Sequence, residues 1–151
     1  MTQATSLKTF LWYQNDLEQA LAFYRETFGE AFVVHGENRM GEGAPLFTAD
    51  FSLYGHEFIG MCIEGGPAFN SAISLSIQCD GQEEVDRLWA AITAEGEAGR
   101  CGWCTDKWGV SWQVTPFQMR DYLGNPDSDK AQKNWGILRN MGKIQLSDFL
   151  V

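Results

Sequence analysis

The stretch AISLSIQCDGQEEVDRLWAAITAEG, residues 72–96, changes its hydrophobic period in the middle. Up to Cys79 the residues alternate, with Leu75, Ile77 and Cys79 on one side and Ser74, Ser76 and Gln78 on the other. Alternation of that kind is the signature of a strand with one face buried. From Asp80 onward Val85, Leu88 and Trp89 fall at helical spacing, so a helix follows the strand almost at once. The same pair of elements occurs earlier. Lys8–Tyr13 reads as an aromatic-rich strand, and Leu17, Ala20, Leu21, Phe23, Tyr24 and Phe28 mark a helix. Asn15 or Asp16 is its expected N-cap and Gly29 its C-cap. An offset of 65 residues lays Thr9 on Ser74, Phe10 on Leu75, Asn15 on Asp80, Ala20 on Val85, Phe23 on Leu88 and Tyr24 on Trp89.

The remainder of each half completes the repeat. Ala31–Val34 reads as a short strand, followed by the Gly-rich polar tract HGENRMGEGAP, residues 35–45, read as a loop. LFTADFSL and EFIGMCI then form a hairpin around Tyr54, Gly55 and His56, and Gly65-Gly66-Pro67 ends the unit. In the second half KWGVSWQVTP closes with a turn and a strand, and an offset of 54 lays Tyr54-Gly55 on Trp108-Gly109 and Phe58 on Trp112. The order strand–helix–strand–strand–strand thus occurs twice. The fold class is α+β, with paired βαβββ modules in one domain spanning residues 1–151. Module one covers about residues 6–66, module two about 67–117, and a helical tail follows over 118–151. A unit that cannot bury its own sheet face must pair with its copy. In the tail, Asp127 or Ser128 caps a helix expected to carry Ala131, Trp135, Leu138 and Met141 on one face, and Ser147 starts a last turn with Phe149 and Leu150.

Alternation also assigns sheet faces. In the last strand Val110, Trp112 and Val114 oppose Ser111, Gln113 and Thr115. If the two modules curl around a shared concavity, the side opposite the helices lines it. In the first strand the offset assigns Thr9, Leu11 and Tyr13 to that side; in the fourth it takes Glu57, Ile59, Met61 and Ile63. The candidate ligand-binding residues are therefore Thr9, Tyr13, Met61, Ser74, Ser76 and Gln113. A few polar groups among apolar ones suit a small apolar or aromatic ligand. The competing reading of this surface is a dimer contact or simply exposed sheet.

Composition narrows the function classes. A net charge of −9 disfavours both nucleic acid and anionic membranes as partners. The N-terminal residues lack the pattern of a secretory leader, and no apolar run reaches the roughly 20 residues that span a bilayer, so a soluble cytoplasmic protein is expected. Four cysteines, Cys62, Cys79, Cys101 and Cys104, are expected as reduced thiols. Cys101 and Cys104 form a C-x-x-C, but no strand leads into it and no helix follows whose N-terminus would stabilise a thiolate. Two ligands do not make a zinc site, and no second pair follows.

The segments FLWYQNDLEQALAFYRETFG, ADFSLYGHEFIGMCIEGGPAFN, AISLSIQCDGQEEVDRLW and CGWCTDKWGVSWQVTP resemble the PhnB-like branch of the glyoxalase/bleomycin-resistance (vicinal oxygen chelate) superfamily. The segment NPDSDKAQ and the helix after it are similar to that branch's C-terminal end. The resemblance implies paired βαβββ modules in a curled mixed sheet, commonly assembled as a homodimer. In that branch the motif reads C-G-W followed by an apolar residue, so Cys104 stands where Leu is usual and the C-x-x-C is incidental.

Enzymes of the superfamily chelate a divalent metal with His and Glu or Gln on the first, fourth, fifth and eighth strands. Carried over, these positions fall near Thr9, Ile59 or Met61, Ser74 and Gln113, of which only Gln113 is a reasonable ligand. The two histidines, His35 and His56, are expected beside turns, away from these positions. No metal and no cofactor are therefore expected. Some relatives carry the label of a demethylubiquinone methyltransferase, but the Gly-rich strand-to-helix loop that would seat S-adenosylmethionine has no counterpart, since Gly65-Gly66 leads into Pro67. The resulting expectation is a metal-free small-molecule-binding protein. Its alternatives are a metal-dependent isomerase, lyase or dioxygenase recruiting Asp50, His56, Glu57 and Glu64, and a structural dimer working through the helix of Trp135.

Overall fold

The computed structural model describes residues 4–151. Two compact units make up the chain, one running to Phe69 and the other Asn70–Val151. In the first unit the elements are β1 (Thr9–Tyr13), α1 (Leu17–Phe28), β2 (Phe32–Arg39), β3 (Leu46–Leu53) and β4 (His56–Cys62). In the second they are β5 (Leu75–Cys79), α2 (Gly81–Thr93), β6 (Glu97–Ala98), β7 (Trp103–Thr105) and β8 (Ser111–Pro116), followed by α3 (Met119–Leu123) and α4 (Ser128–Asn140). Each unit holds one mixed four-stranded sheet, in the orders β1-β4-β3-β2 and β5-β8-β7-β6. The expected duplication is present, as two separate sheets of the same topology. Among the described residues no helix is long and apolar enough to cross a membrane.

In each sheet the first strand pairs parallel with the last, Thr9 opposite Phe58 and Leu75 opposite Trp112. The helix covers one face of that pair. Leu17, Leu21, Tyr24 and Phe28 of α1 are buried, as are Leu11, Tyr13, Phe51 and Phe58 in the first sheet. Each such side chain contributes about 2 kcal/mol of burial. The helix lies so close to β4 that a Cβ at Gly60 would meet Leu17 Cδ1 at 2.8 Å, so a larger residue there would push the Leu17 side chain aside. In the second unit Val85, Leu88 and Ile92 of α2 are buried, as are Ile77, Cys79, Trp112 and Val114 of β5 and β8.

These packings revise the offset between modules. Strand pairing matches Thr9 to Leu75 and Tyr13 to Cys79, whereas burial on the helices matches Leu21 to Val85, Tyr24 to Leu88 and Phe28 to Ile92. The strands are thus displaced by one residue from the 65-residue alignment, and the helices by one residue in the opposite sense. The cause is the strand-to-helix link, Gln14–Asp16 in the first unit and Asp80 alone in the second. Since side chains alternate, one residue of slip moves a whole strand to the other face.

Strand β2 is longer than expected, running through His35–Arg39, which the sequence reading gave to a loop. Cross-strand bonds explain the difference: His35 Nε2 lies 2.9 Å from Ser52 Oγ, and Asn38 Nδ2 donates to Thr48 Oγ1 at 3.2 Å. Irregularities between Val34 and Gly36 and between Asn38 and Arg39 break its alternation, which is why it reads as a loop. Only Met40–Pro45 connect β2 to β3.

The turn before β8 is built around Asp106, a carboxylate only 2% exposed. Oδ1 accepts the backbone N–H groups of Trp108 and Val110, both at 3.0 Å, and Oδ2 accepts the Trp112 indole N–H at 3.0 Å. Beside this hairpin, the C-x-x-C divides between two environments. Cys104 is buried in β7, whereas Cys101 has φ 57° in the preceding turn, and its backbone N–H donates to Met141 O at 2.9 Å. All four cysteines are free thiols.

The tail belongs to the second unit. Met119, Leu138, Ile144 and Phe149 form its apolar core, with Cys101 packed against it. Gln82 of α2 donates to Ile144 O at 2.9 Å and accepts Leu146 N–H at 2.8 Å, and Lys143 pairs with Asp86. Asp127 is the N-cap of α4, accepting the N–H groups of Asp129 and Lys130. The buried stripe of α4 differs from the expected one. Trp135 is 46% exposed, and Asn134 at 0% takes its place. The Asn134 amide donates to Tyr122 O and Leu150 O, both at 3.0 Å, and accepts Leu150 N–H at 2.8 Å. A buried amide with its partners in place clamps the C-terminal residues onto the helix.

Asp106→Asn is expected to lower stability by about 3 kcal/mol, because the three donors lose a charged acceptor; urea unfolding checks this. Burial pushes the Cys79 thiol up to about 11 and that of Cys104 to about 12, so both stay protonated at pH 8. A thiol-reactive chromogen should therefore find two fast thiols in the native protein, Cys62 and Cys101, and four after unfolding.

Candidate functional site

With one face of each sheet taken by a helix, function has the opposite, open face to work with. In the first unit this face carries Lys8, Phe10 and Trp12, then Glu57, Ile59 and Met61, then Thr48, Asp50 and Ser52. In the second it carries Ser74, Ser76 and Gln78, then Ser111, Gln113 and Thr115, and Trp103 on β7.

Four of the six candidate residues lie on open faces, Met61 in the first unit and Ser74, Ser76 and Gln113 in the second. Gln113 Nε2 donates to Ser74 Oγ at 2.8 Å, and Ser76 stands opposite Gln113 in the register. Thr9 and Tyr13 do not join Met61. They point to the helix face, as the corrected register requires. Tyr13 is 0% exposed, its hydroxyl lies 3.0 Å from that of Tyr24, and its ring meets Phe69 edge-on at 5.3 Å between centroids. Thr9 Oγ1 is 2.8 Å from His56 Nε2. His56 is thus beside a first-strand candidate after all, contrary to the sequence expectation, because β1 and β4 run parallel with Thr9 opposite Phe58. Open-face residues that the sequence reading missed include Phe10 and Trp12; TFLWY is apolar on both sides and carries no signal for them, and it is the burial of Leu11 and Tyr13 that assigns them.

The donor set for a divalent metal does not assemble. Lys8 Nζ lies 3.1 Å from Asp50 Oδ1 and 3.8 Å from Glu57 Oε1, so an ammonium already occupies the acidic spot of the first open face. The hydrogen bond to Asp50 holds the Lys8 pKa above its usual value and the charge in place. Ile59 offers no donor, and in the second unit the hydroxyl of Ser74 and the amide of Gln113 are neutral and bonded to each other. Among the described residues no group of three or more His, Cys, Asp or Glu side chains could hold a metal ion. The four residues considered for a metal-dependent enzyme do not converge either. Asp50 and Glu57 face Lys8, His56 is on the helix face, and Glu64 lies beyond the end of β4. These faces offer hydrogen-bonding side chains set among apolar ones.

Comparisons with known proteins agree with this architecture. The PhnB protein from Bacillus cereus is 28% identical, with a TM-score of 0.64 over 72% of this chain and 97% of that one. Protein PA1353 from Pseudomonas aeruginosa is 16% identical, with a TM-score of 0.57 over 72% of this chain and 95% of its own. The fosfomycin resistance protein FosX from Listeria monocytogenes, solved with Mn(II) and sulfate, is 19% identical, with a TM-score of 0.54 over 74% of this chain and 90% of that one. These last two likenesses concern the fold alone. No curated protein matches the chain. The model of the family described as 3-demethylubiquinone-9 3-methyltransferase matches residues 5–115, which takes in both sheets almost to the end of β8. With that match and the twice-built βαβββ order, the chain belongs to the 3-demethylubiquinone-9 3-methyltransferase family, the PhnB-like branch of the vicinal oxygen chelate superfamily.

Proposed function

We propose that this chain binds a small neutral, apolar or aromatic molecule without a metal ion, on the open face of the second sheet. The observation that supports this most is the Gln113–Ser74 hydrogen bond. It ties up Gln113, the one reasonable ligand among the positions where metal-dependent relatives carry His and Glu or Gln, with a hydroxyl that is a poor donor to a divalent ion. Ser76 and Gln78 extend the row of hydrogen-bonding groups, and Trp103 supplies an aromatic wall opposite Gln113. In the first unit, Phe10, Ile59 and Met61 give the equivalent face an apolar character.

The family description names methyl transfer, and that activity would need a seat for the methyl donor. Neither strand-to-helix link, Gln14–Asp16 or Asp80, is a glycine-rich loop. Binding is therefore the reading we favour over group transfer. Cytoplasmic location and assembly as a homodimer belong to the same proposal, and sedimentation velocity tests the second.

The test is a tryptophan-fluorescence titration of EDTA-treated protein against a panel of neutral aromatic compounds. A saturable change is expected for at least one compound, unaltered by EDTA and at least tenfold weaker in Gln113→Ala. No saturable change across the panel would sink the proposal, and binding that appears only with added metal would favour a metal-dependent enzyme. Tyr13→Phe serves as the control for sheet faces. It should cost about 1 kcal/mol of stability through the lost hydroxyl pair and leave ligand affinity unchanged.

A further inference from the structure

At the end of the first sheet where β1 and β4 finish and β3 begins, a cleft of about 610 Å³ opens, a volume within the ordinary range for small-molecule sites. Its apolar wall includes Met40, Pro45 and Phe47, with the Cys62 thiol beside them and the carboxylates of Asp16 and Glu64 at its polar side. None of these six lies among the open-face residues of the proposed function, so the cleft stands independently of that reading.

Three features point to one class of ligand. Met40 is 77% exposed, so a large, polarisable side chain lines the cleft with little packing of its own. The carboxylates of Asp16 and Glu64 have no hydrogen-bond or ion-pair partner among the described residues. Arg39, the cation at the start of the connecting loop, is already engaged. Its guanidinium binds both oxygens of Glu18, at 2.8 and 3.2 Å, and donates to Ala44 O at 3.0 Å. That bond to Glu18 holds the Glu18 carboxyl below its usual pKa and fixes the loop that forms one wall. The N-terminus of α1 also reaches the cleft, and its dipole equals roughly half a positive charge. Two full carboxylate charges outweigh it, so the local field favours a cation.

We propose that this cleft binds a small cationic aromatic or alkyl amine, its charged N–H group directed to Asp16 and Glu64 and its apolar body laid against Met40, Pro45 and Phe47. Sulfur and an aromatic ring are favourable neighbours for the ligand's apolar body.

The test uses 9-aminoacridine, a flat cation at pH 7, and 1-anilinonaphthalene-8-sulfonate, an anion of similar size. Calorimetry should give 1:1 binding of 9-aminoacridine, weakened at least tenfold in Asp16→Asn/Glu64→Gln, with no 1:1 binding of the anion. Asp16 has φ 51°, a conformation asparagine adopts readily, so this variant should fold, and its melting curve confirms that it does. In a Cys101→Ser background, 9-aminoacridine should also slow the labelling of Cys62 at least fivefold, a readout specific to this cleft. Equal affinity in the double variant, equal binding of the anion, unprotected Cys62, or no binding of the cation would each overturn the proposal. Since open-face ligands are neutral and are read through Gln113→Ala, either proposal can fail without the other.

Discussion

Everything in each module follows from the helix that claims one face of its sheet. The pairing of first strand with last places two parallel strands under that helix, and Gly60 lets α1 approach them closely. Once Leu17, Leu21, Tyr24 and Phe28 have buried their area against β1, β3 and β4, every other side chain in those strands is committed to the core. The remaining half is free to serve as a recognition surface. Whether a strand residue faces the helix or the open side is decided by the parity of its position.

That dependence on parity explains what was legible in the sequence. The duplicated order of elements was plain, because helical and alternating periods are strong in 17–28, 46–62, 75–79 and 81–93. The open face of the second unit was equally plain, since Ser74, Ser76, Gln113 and Thr115 are polar and their neighbours are not. The first strand was not, because TFLWY has apolar side chains on both faces and no alternation to read. Its assignment rested on an alignment that split a two-residue difference in link length evenly, and so placed Thr9 and Tyr13 on the wrong side. Strand β2 escaped notice because its C-terminal half is polar and broken by bulges. Asn134 was passed over for Trp135 because an amide with three backbone partners is worth burying, which composition alone does not disclose.

The electrostatics of the open faces carry the functional argument. An acidic chain has carboxylates to spare, yet Asp50 and Glu57 are spent on Lys8, and on β5 and β8 the second face carries hydroxyls and amides, its Glu97 carboxylate lying out on the edge strand β6. On the first face a divalent ion would have to displace an ammonium; on the second, taken by itself, Ser74 and Gln113 offer it neutral donors. The fold is shared with a manganese-bearing fosfomycin resistance protein, but shared fold leaves chemistry to the side chains. Two carboxylates without a partner, those of Asp16 and Glu64, lie instead at the strand ends, around a cleft with an apolar wall.

The most direct measurement is an amide NMR spectrum of the chelator-treated protein titrated with MnCl2. The account predicts no selective broadening at Lys8, Ile59, Ser74 and Gln113 when the metal is below one equivalent. Selective loss of any of those four signals would mean that an open face does hold a metal ion, and the metal-free reading would be wrong.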